Sequence, residues 1–183
     1  MTTTSTAARA YVIDPAHSSA HFSVRHLMIS KVRGTFRTIA GAIELPADSP
    51  IPVAISASIE AASIDTRDAQ RDGHLKSADF FDVEKFPQLR FTSTRIEPLD
   101  ATRFKAVGEL EIHGVKRTVT IDAEVSGEGK DPWGNARVAY EATTRINRKD
   151  FGLVWNQPLE TGGIAVGDEI DITLDVESIP TPA

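Results

Sequence analysis

The sequence predicts an all-β chain closed into an eight-stranded antiparallel barrel with one short helix at its mouth. Three observations carry that expectation. Apolar residues recur with a period of two through most of the 183 residues, the pattern of half-buried strands. The links between periodic runs are mostly short, which suits antiparallel neighbours. One segment, residues 65–76, loses the period and has no run of β-branched residues. Eight long strands in an open sheet would leave two unpaired edges, and closure removes both.

Taken in order, residues 1–10 are rich in Thr, Ser and Ala and are expected to be a disordered leader. They lack the basic and apolar regions of a secretory signal, so a cytoplasmic location is expected. In residues 18–26, Ser18, Ala20, Phe22, Val24 and His26 share one face, and Ser19, His21, Ser23 and Arg25 share the other. Residues 32–45 form the second strand, with Gly34 and Gly41 marking a bulge or sharp bend. Val53, Ile55, Ala57 and Ile59 mark the third strand, and residues 89–96 the fourth. The fifth alternates through Phe104, Ala106, Gly108, Leu110 and Ile112, the sixth through Val115, Arg117, Val119, Ile121, Ala123 and Val125. His113 and Gly114 join these two, a two-residue link suited to a primed turn. Residues 136–146 form the seventh strand, and Ile170, Ile172, Leu174 and Val176 the inner face of the eighth. Residues 65–76 read as a helix of about three turns, capped by Asp65 or Thr66. Pro180 and Pro182 close a loose tail at 180–183, leaving one domain over 11–179.

Composition excludes several function classes. The chain has no cysteine, which removes disulfides, thiolate metal sites and thiol nucleophiles together. Its net charge of −6 is a poor footprint for nucleic acid. The apolar runs fall far short of the ~18 residues of a membrane span. No Gly-x-Ser-x-Gly elbow, P-loop or Gly-x-Gly-x-x-Gly fingerprint is present. His17 and His21 lie four apart, about 13 Å along a strand, too far to share one ion. No metal, cofactor or catalytic residue is expected.

Several motifs in order carry a resemblance. They are Ile13-Asp14-Pro15-Ala16-His17-Ser18, Phe22-Ser23-Val24-Arg25-His26-Leu27 and Val32-Arg33-Gly34-Thr35-Phe36. Arg71-Asp72-Gly73-His74-Leu75-Lys76-Ser77-Ala78-Asp79-Phe80-Phe81-Asp82 follows, then Phe86-Pro87 and Phe91-Thr92-Ser93-Thr94. Gly108-Glu109-Leu110-Glu111-Ile112-His113-Gly114-Val115 and Asn147-Arg148-Lys149-Asp150-Phe151-Gly152-Leu153 complete the set. Together they resemble the YceI-like family of polyisoprenoid-binding proteins over nearly the whole chain. The resemblance implies a lipocalin-like barrel, usually dimeric, with an elongated apolar ligand in its interior. An isoprenoid quinone or its precursor, a polyprenyl phosphate or a fatty amide all fit that description.

Residue by residue, the expected lining is Phe22, Val24, Phe36, Ile59, Phe91, Leu110, Tyr140 and Trp155, with Leu75 and Phe80 at the mouth. Small residues such as Ala20, Ala57 and Gly108 either leave volume for a ligand or relieve crowding. His26 shares the inward parity of Phe22 and is either a satisfied core histidine or a partner for a polar head. Arg71, His74 and Lys76 form rim ion pairs or meet a phosphate head group. The function that follows is a non-catalytic carrier of a long apolar chain, acting as a homodimer. The alternative is a lipid-modifying enzyme in the same barrel, using pairs such as Asp72 with His74 or Asp150 with His26.

Overall fold

The computed structural model describes residues 8–182. Its elements are β1 (Arg9–Ile13), β2 (Ser19–His26), β3 (Ser30–Phe36), β4 (Ile39–Leu45), β5 (Ala54–Glu60), β6 (Ile64–Asp65), α1 (Ala69–Lys76), β7 (Gln88–Pro98), β8 (Arg103–Ile112), β9 (Val115–Lys130), β10 (Ala136–Asn147) and β11 (Val166–Pro180). Neighbouring strands run β1-β4-β5-β7-β8-β9-β10-β11, and β1 pairs back onto β11, closing an eight-stranded antiparallel barrel. One edge of β11 carries β2 along Val166 to Asp175 and then β1 along Ser178 to Pro180. Strands β1 and β2 are therefore two halves of one ribbon, as are β3 and β4. Counting each as a single ribbon recovers the eight expected from the alternation.

The ribbons break where backbone groups must turn to other partners. Between β1 and β2, the Asp14 carboxylate accepts the Ala16 N–H at 3.0 Å, and Pro15 has no N–H to donate. Between β3 and β4 the break falls at Arg37 and Thr38, not at the glycines. Gly34 and Gly41 lie inside their strands for a different reason. A Cβ on Gly34 would stand 2.4 Å from the Phe22 ring, and one on Gly41 would stand 2.3 Å from the Ser56 carbonyl oxygen. The leader also ends earlier than expected. Arg9 and Ala10 pair with Leu45 and Glu44 in β1, while residues 1–7 lie outside the described residues. At the other terminus, Pro180 pairs with Tyr11 and the Thr181 N–H donates to the Ala10 carbonyl at 2.9 Å. That segment is thus tied down through Thr181, and Ala183 lies outside the described residues.

The helix is shorter and starts later than the sequence suggested. Ile64 and Asp65 are taken by a bridge to Phe36 and Thr35. Arg67 then turns at φ 62°, and Asp68 caps the helix by accepting the Arg71 N–H at 3.0 Å. Between β8 and β9, His113 (φ 55°) and Gly114 (φ 71°) both take left-handed backbone, the type I′ geometry that the His-Gly link implied. Two apolar clusters fill the barrel. One gathers Tyr11, Leu45, Ile51, Phe104 and Tyr140 at the end away from the helix. The other gathers Phe36, Ile64, Ile112, Phe151 and Leu153 at the helix end. No helix among the described residues is long and apolar enough to cross a membrane.

Candidate functional site

A cavity of about 240 Å³ runs through the barrel and touches both clusters, from Ile43, Phe104 and Tyr140 to Ile64, Leu75 and Leu153. Almost all the surface facing it is carbon. Strand parity explains this, because inward positions on a closed sheet alternate with solvated ones. Of the residues expected to line it, Phe22, Val24, Phe36, Ile59, Leu75 and Phe80 do so, as do Phe91, Leu110 and Tyr140. Trp155 does not line it. Both readings of the small residues apply at different positions. Ala20 and Ala57 border open volume. Gly108 gives its space to the Phe91 ring, which would lie 2.7 Å from a Cβ there.

At the lower end the cavity is stoppered. The Tyr140 hydroxyl donates to the Pro50 carbonyl at 2.8 Å, and burial raises its pKa. Outside this end, Arg137 bonds Asp14 at 2.9 Å, Glu177 at 2.5 Å and Asp131 at 3.2 Å. His17 adds a bond to Asp14 at 2.9 Å, and together with Arg137 it holds the Asp14 carboxyl down at about 2. Asp14, His17 and Glu177 bring their ligand atoms within 4.8 Å of one another. The Arg137 guanidinium already occupies that space, so the cluster works as a clasp across β1, β10 and β11. Sequence reading missed Arg137 and Asp131, which carry no motif of their own.

The helix end is closed by lighter means. No residue of α1 is buried. Asp72 accepts the Thr66 N–H at 2.9 Å and the Thr66 hydroxyl at 2.6 Å, while Arg71 donates to Thr66 through Nε and Nη2. Arg71 is therefore spent on the helix approach rather than on the mouth. His74 lies 2.8 Å from Asp79 and packs edge-on against Phe80 and Trp155, at ring separations of 5.1 and 4.6 Å. Phe80 and Trp155 meet at 5.4 Å. This aromatic seam joins the helix to the loop after β10, and it is where Trp155 belongs. Lys76 is half-buried at the end of α1, and half-buried His26 stands at the end of β2 beside a hairpin tip. None of His26, Arg71, His74 and Lys76 lines the cavity.

The proposed acid–base pairs are not assembled. Asp72 faces Thr66 rather than His74, and among the described residues Asp150 and His26 share no hydrogen bond or ion pair. Of the charged residues bordering the cavity, only Arg148 is buried, and sequence reading did not choose it. Arg148 is buried, yet all its donors are engaged: Nε to Gly167 at 2.8 Å, Nη1 to Leu153 and Trp155 at 2.5 and 2.9 Å, and Nη2 to Val166 and Asp168 at 3.3 and 3.5 Å. Burial lowers its pKa. This cation fixes the loop that carries Trp155 and has no donor left for a ligand.

Comparison with known proteins agrees with this architecture. A model of the YceI-like domain matches residues 11–178. A UPF0312 protein of Photorhabdus laumondii is 38% identical over 137 residues, covering 75% of this chain and 71% of that protein. The crystal structure of a Campylobacter jejuni YceI protein is 30% identical with a TM-score of 0.75, covering 86% of this chain and 90% of that one. A polyisoprenoid binding domain from Saccharophagus degradans shares the fold at a TM-score of 0.65 and 14% identity, covering 94% and 99%. Barrel, helix and motifs agree with the matched model, and the chain belongs to the YceI-like family.

Proposed function

We propose that the protein is a non-catalytic carrier of a long apolar chain, a polyisoprenoid or a fatty amphiphile, held in the barrel interior. The observation that carries this reading is the cavity itself, about 240 Å³ walled almost entirely by carbon and continuous through both clusters. Burial drives the binding. Each methylene contributes ~0.8 kcal/mol, so one isoprene unit contributes a few kcal/mol before ordering costs. The one buried cation at the cavity, Arg148, has all its donors engaged, and an unpaired buried charge is costly. The head group therefore stays at the mouth, within reach of His74, Lys76 and His26. The polyisoprenoid binding named for the Saccharophagus degradans domain supports the same ligand class. The family resemblance supports a homodimer, which sedimentation measures directly.

The test is organic extraction of the purified protein followed by mass spectrometry, paired with melting in the presence of farnesol or a fatty amide. A bound chain, or a rise in melting temperature with added chain, is the expected result, since a ligand at 100 times its Kd adds ~2.7 kcal/mol. A protein that yields no lipid and melts unchanged with either compound is not a carrier.

A further inference from the structure

The barrel exposes a small apolar crest beside its mouth. The β2–β3 hairpin ends in Leu27, Met28 and Ile29, which are 39%, 56% and 83% exposed, and Val154 on the neighbouring loop is 62% exposed. An ordinary hairpin tip is polar. This one also holds two non-glycine residues in left-handed backbone, Leu27 at φ 52° and Met28 at φ 63°, a conformation that costs energy and persists only when neighbours enforce it. The neighbours are visible. The Leu27 N–H donates to the Ala165 carbonyl at 2.9 Å. Met28 Cγ lies 3.3 Å from where a Cβ on Gly163 would stand. The crest is thus braced against the loop that carries Val154 and Trp155, so it is continuous with the seam over the cavity.

Charge is arranged around it. Arg25, Lys31 and Arg33 share the outward face of the hairpin, with Arg25 opposite Lys31 and Ser23 opposite Arg33. Lys31 is drawn to Asp171 at 3.4 Å. The acids of adjoining β11 are likewise taken, Asp168 by Lys149, and Glu169 and Asp171 by Arg145. Among the described residues Arg25 and Arg33 have no ion-pair partner, and the facing loop from 153 to 165 brings a single acid, Glu160. An apolar tip above a basic stem matches the layering of a membrane surface, acyl chains beneath anionic head groups. A protein partner has no such layering to match.

We infer that the Leu27–Met28–Ile29 crest docks the barrel, mouth first, on an anionic lipid surface, where chains pass between bilayer and cavity. This rests on the carrier reading given above. The experiment is co-sedimentation with vesicles of phosphatidylcholine alone and of phosphatidylcholine mixed with phosphatidylglycerol. It compares wild type, Ile29→Asp and the double variant Arg25→Gln with Arg33→Gln. Wild type is expected to partition onto the mixed vesicles and to be released by salt. Ile29→Asp is expected to bind at least about tenfold more weakly, with unchanged melting and unchanged uptake of a fluorescent fatty acid in solution. The arginine variant is expected to lose the preference for phosphatidylglycerol. Wild type remaining in the supernatant with both vesicles, or Ile29→Asp binding as tightly as wild type, overturns the docking site. So does a wild-type dimer that Ile29→Asp converts to monomer without vesicle binding, since the crest is then a subunit interface. Vesicle binding lost in Ile29→Asp while wild type takes up no fluorescent fatty acid supports docking and strikes the carrier reading alone.

Discussion

The two ends of the barrel close the same cavity with different materials. The lower end uses fully packed side chains, Leu45, Phe104 and Tyr11 among them, and clasps the chain from outside through Arg137 and three carboxylates. The helix end uses a short helix with no buried residue and a seam of three rings, His74, Phe80 and Trp155. Elements with few buried contacts open at lower free energy than the core. On the carrier reading proposed above, the contrast puts stability at one end and ligand exchange at the other.

The contrast is broken most forcefully by cutting the lower core. Phe104→Ala removes a ring that is 1% exposed and packed edge-on to Tyr140, and should cost about 4 kcal/mol in urea unfolding. Phe80→Ala should cost about half as much, because its neighbours at the mouth can collapse, while release of a bound fluorescent chain in stopped flow speeds up about tenfold. Phe22→Ala, which empties the space above Gly34, should fall between the two in stability. Equal destabilisation by Phe80→Ala and Phe104→Ala, with release unchanged, makes the seam ordinary core.

Acid should weaken the clasp. The Asp14 carboxyl is held at about 2 by its bonds from His17 and Arg137, and the Asp131 carboxyl at about 2 by Asn135, the local turn and Arg137. Both values lie below the unfolded value of about 3.9. Their contribution is therefore complete above that pH and is lost as pH falls from about 4 toward 2. Melting temperature should drop across that window, and Arg137→Gln should shrink the drop. An equally steep drop in the variant removes Arg137 from the account.

The smallest expected effect sharpens the mouth. Nothing lies within 4 Å of where a Cβ would stand on Gly73, so Gly73→Ala adds helix propensity without a clash. It should stabilise α1 by about 0.5–1 kcal/mol and slow chain exchange, with little change in global unfolding. Hydrogen exchange of the α1 amides measures this, and unchanged protection there excludes the helix as the opening element.

Legibility followed parity. Along the middle of a cleanly alternating strand, as in Ile170, Ile172, Leu174 and Val176, the inward face read from sequence lines the cavity. At strand ends parity fails: Val53 precedes β5 and is exposed, and His26 does not reach the cavity. Trp155 lies in a loop with no parity, so its place over His74 depended on a contact far along the chain. The start of α1 was hidden by competing caps. Asp65, Thr66 and Asp68 all suit the role, and the pairing of β6 with β3 decides among them. Arg148 went unchosen because four of its five partners are backbone carbonyls, which any sequence supplies and no motif marks.

Strand β3 pairs with β6 only at Thr35 and Phe36, so its outer edge from Ser30 to Gly34 has no strand neighbour although the barrel itself is closed. Such an edge is a template for uncontrolled strand addition between molecules. Lys31 and Arg33 lie along it and act as gatekeepers, because two copies meeting edge to edge would bring like charges together. Keeping this hairpin dispersed is thus a colloidal task that falls to side chains with no part in holding the barrel shut.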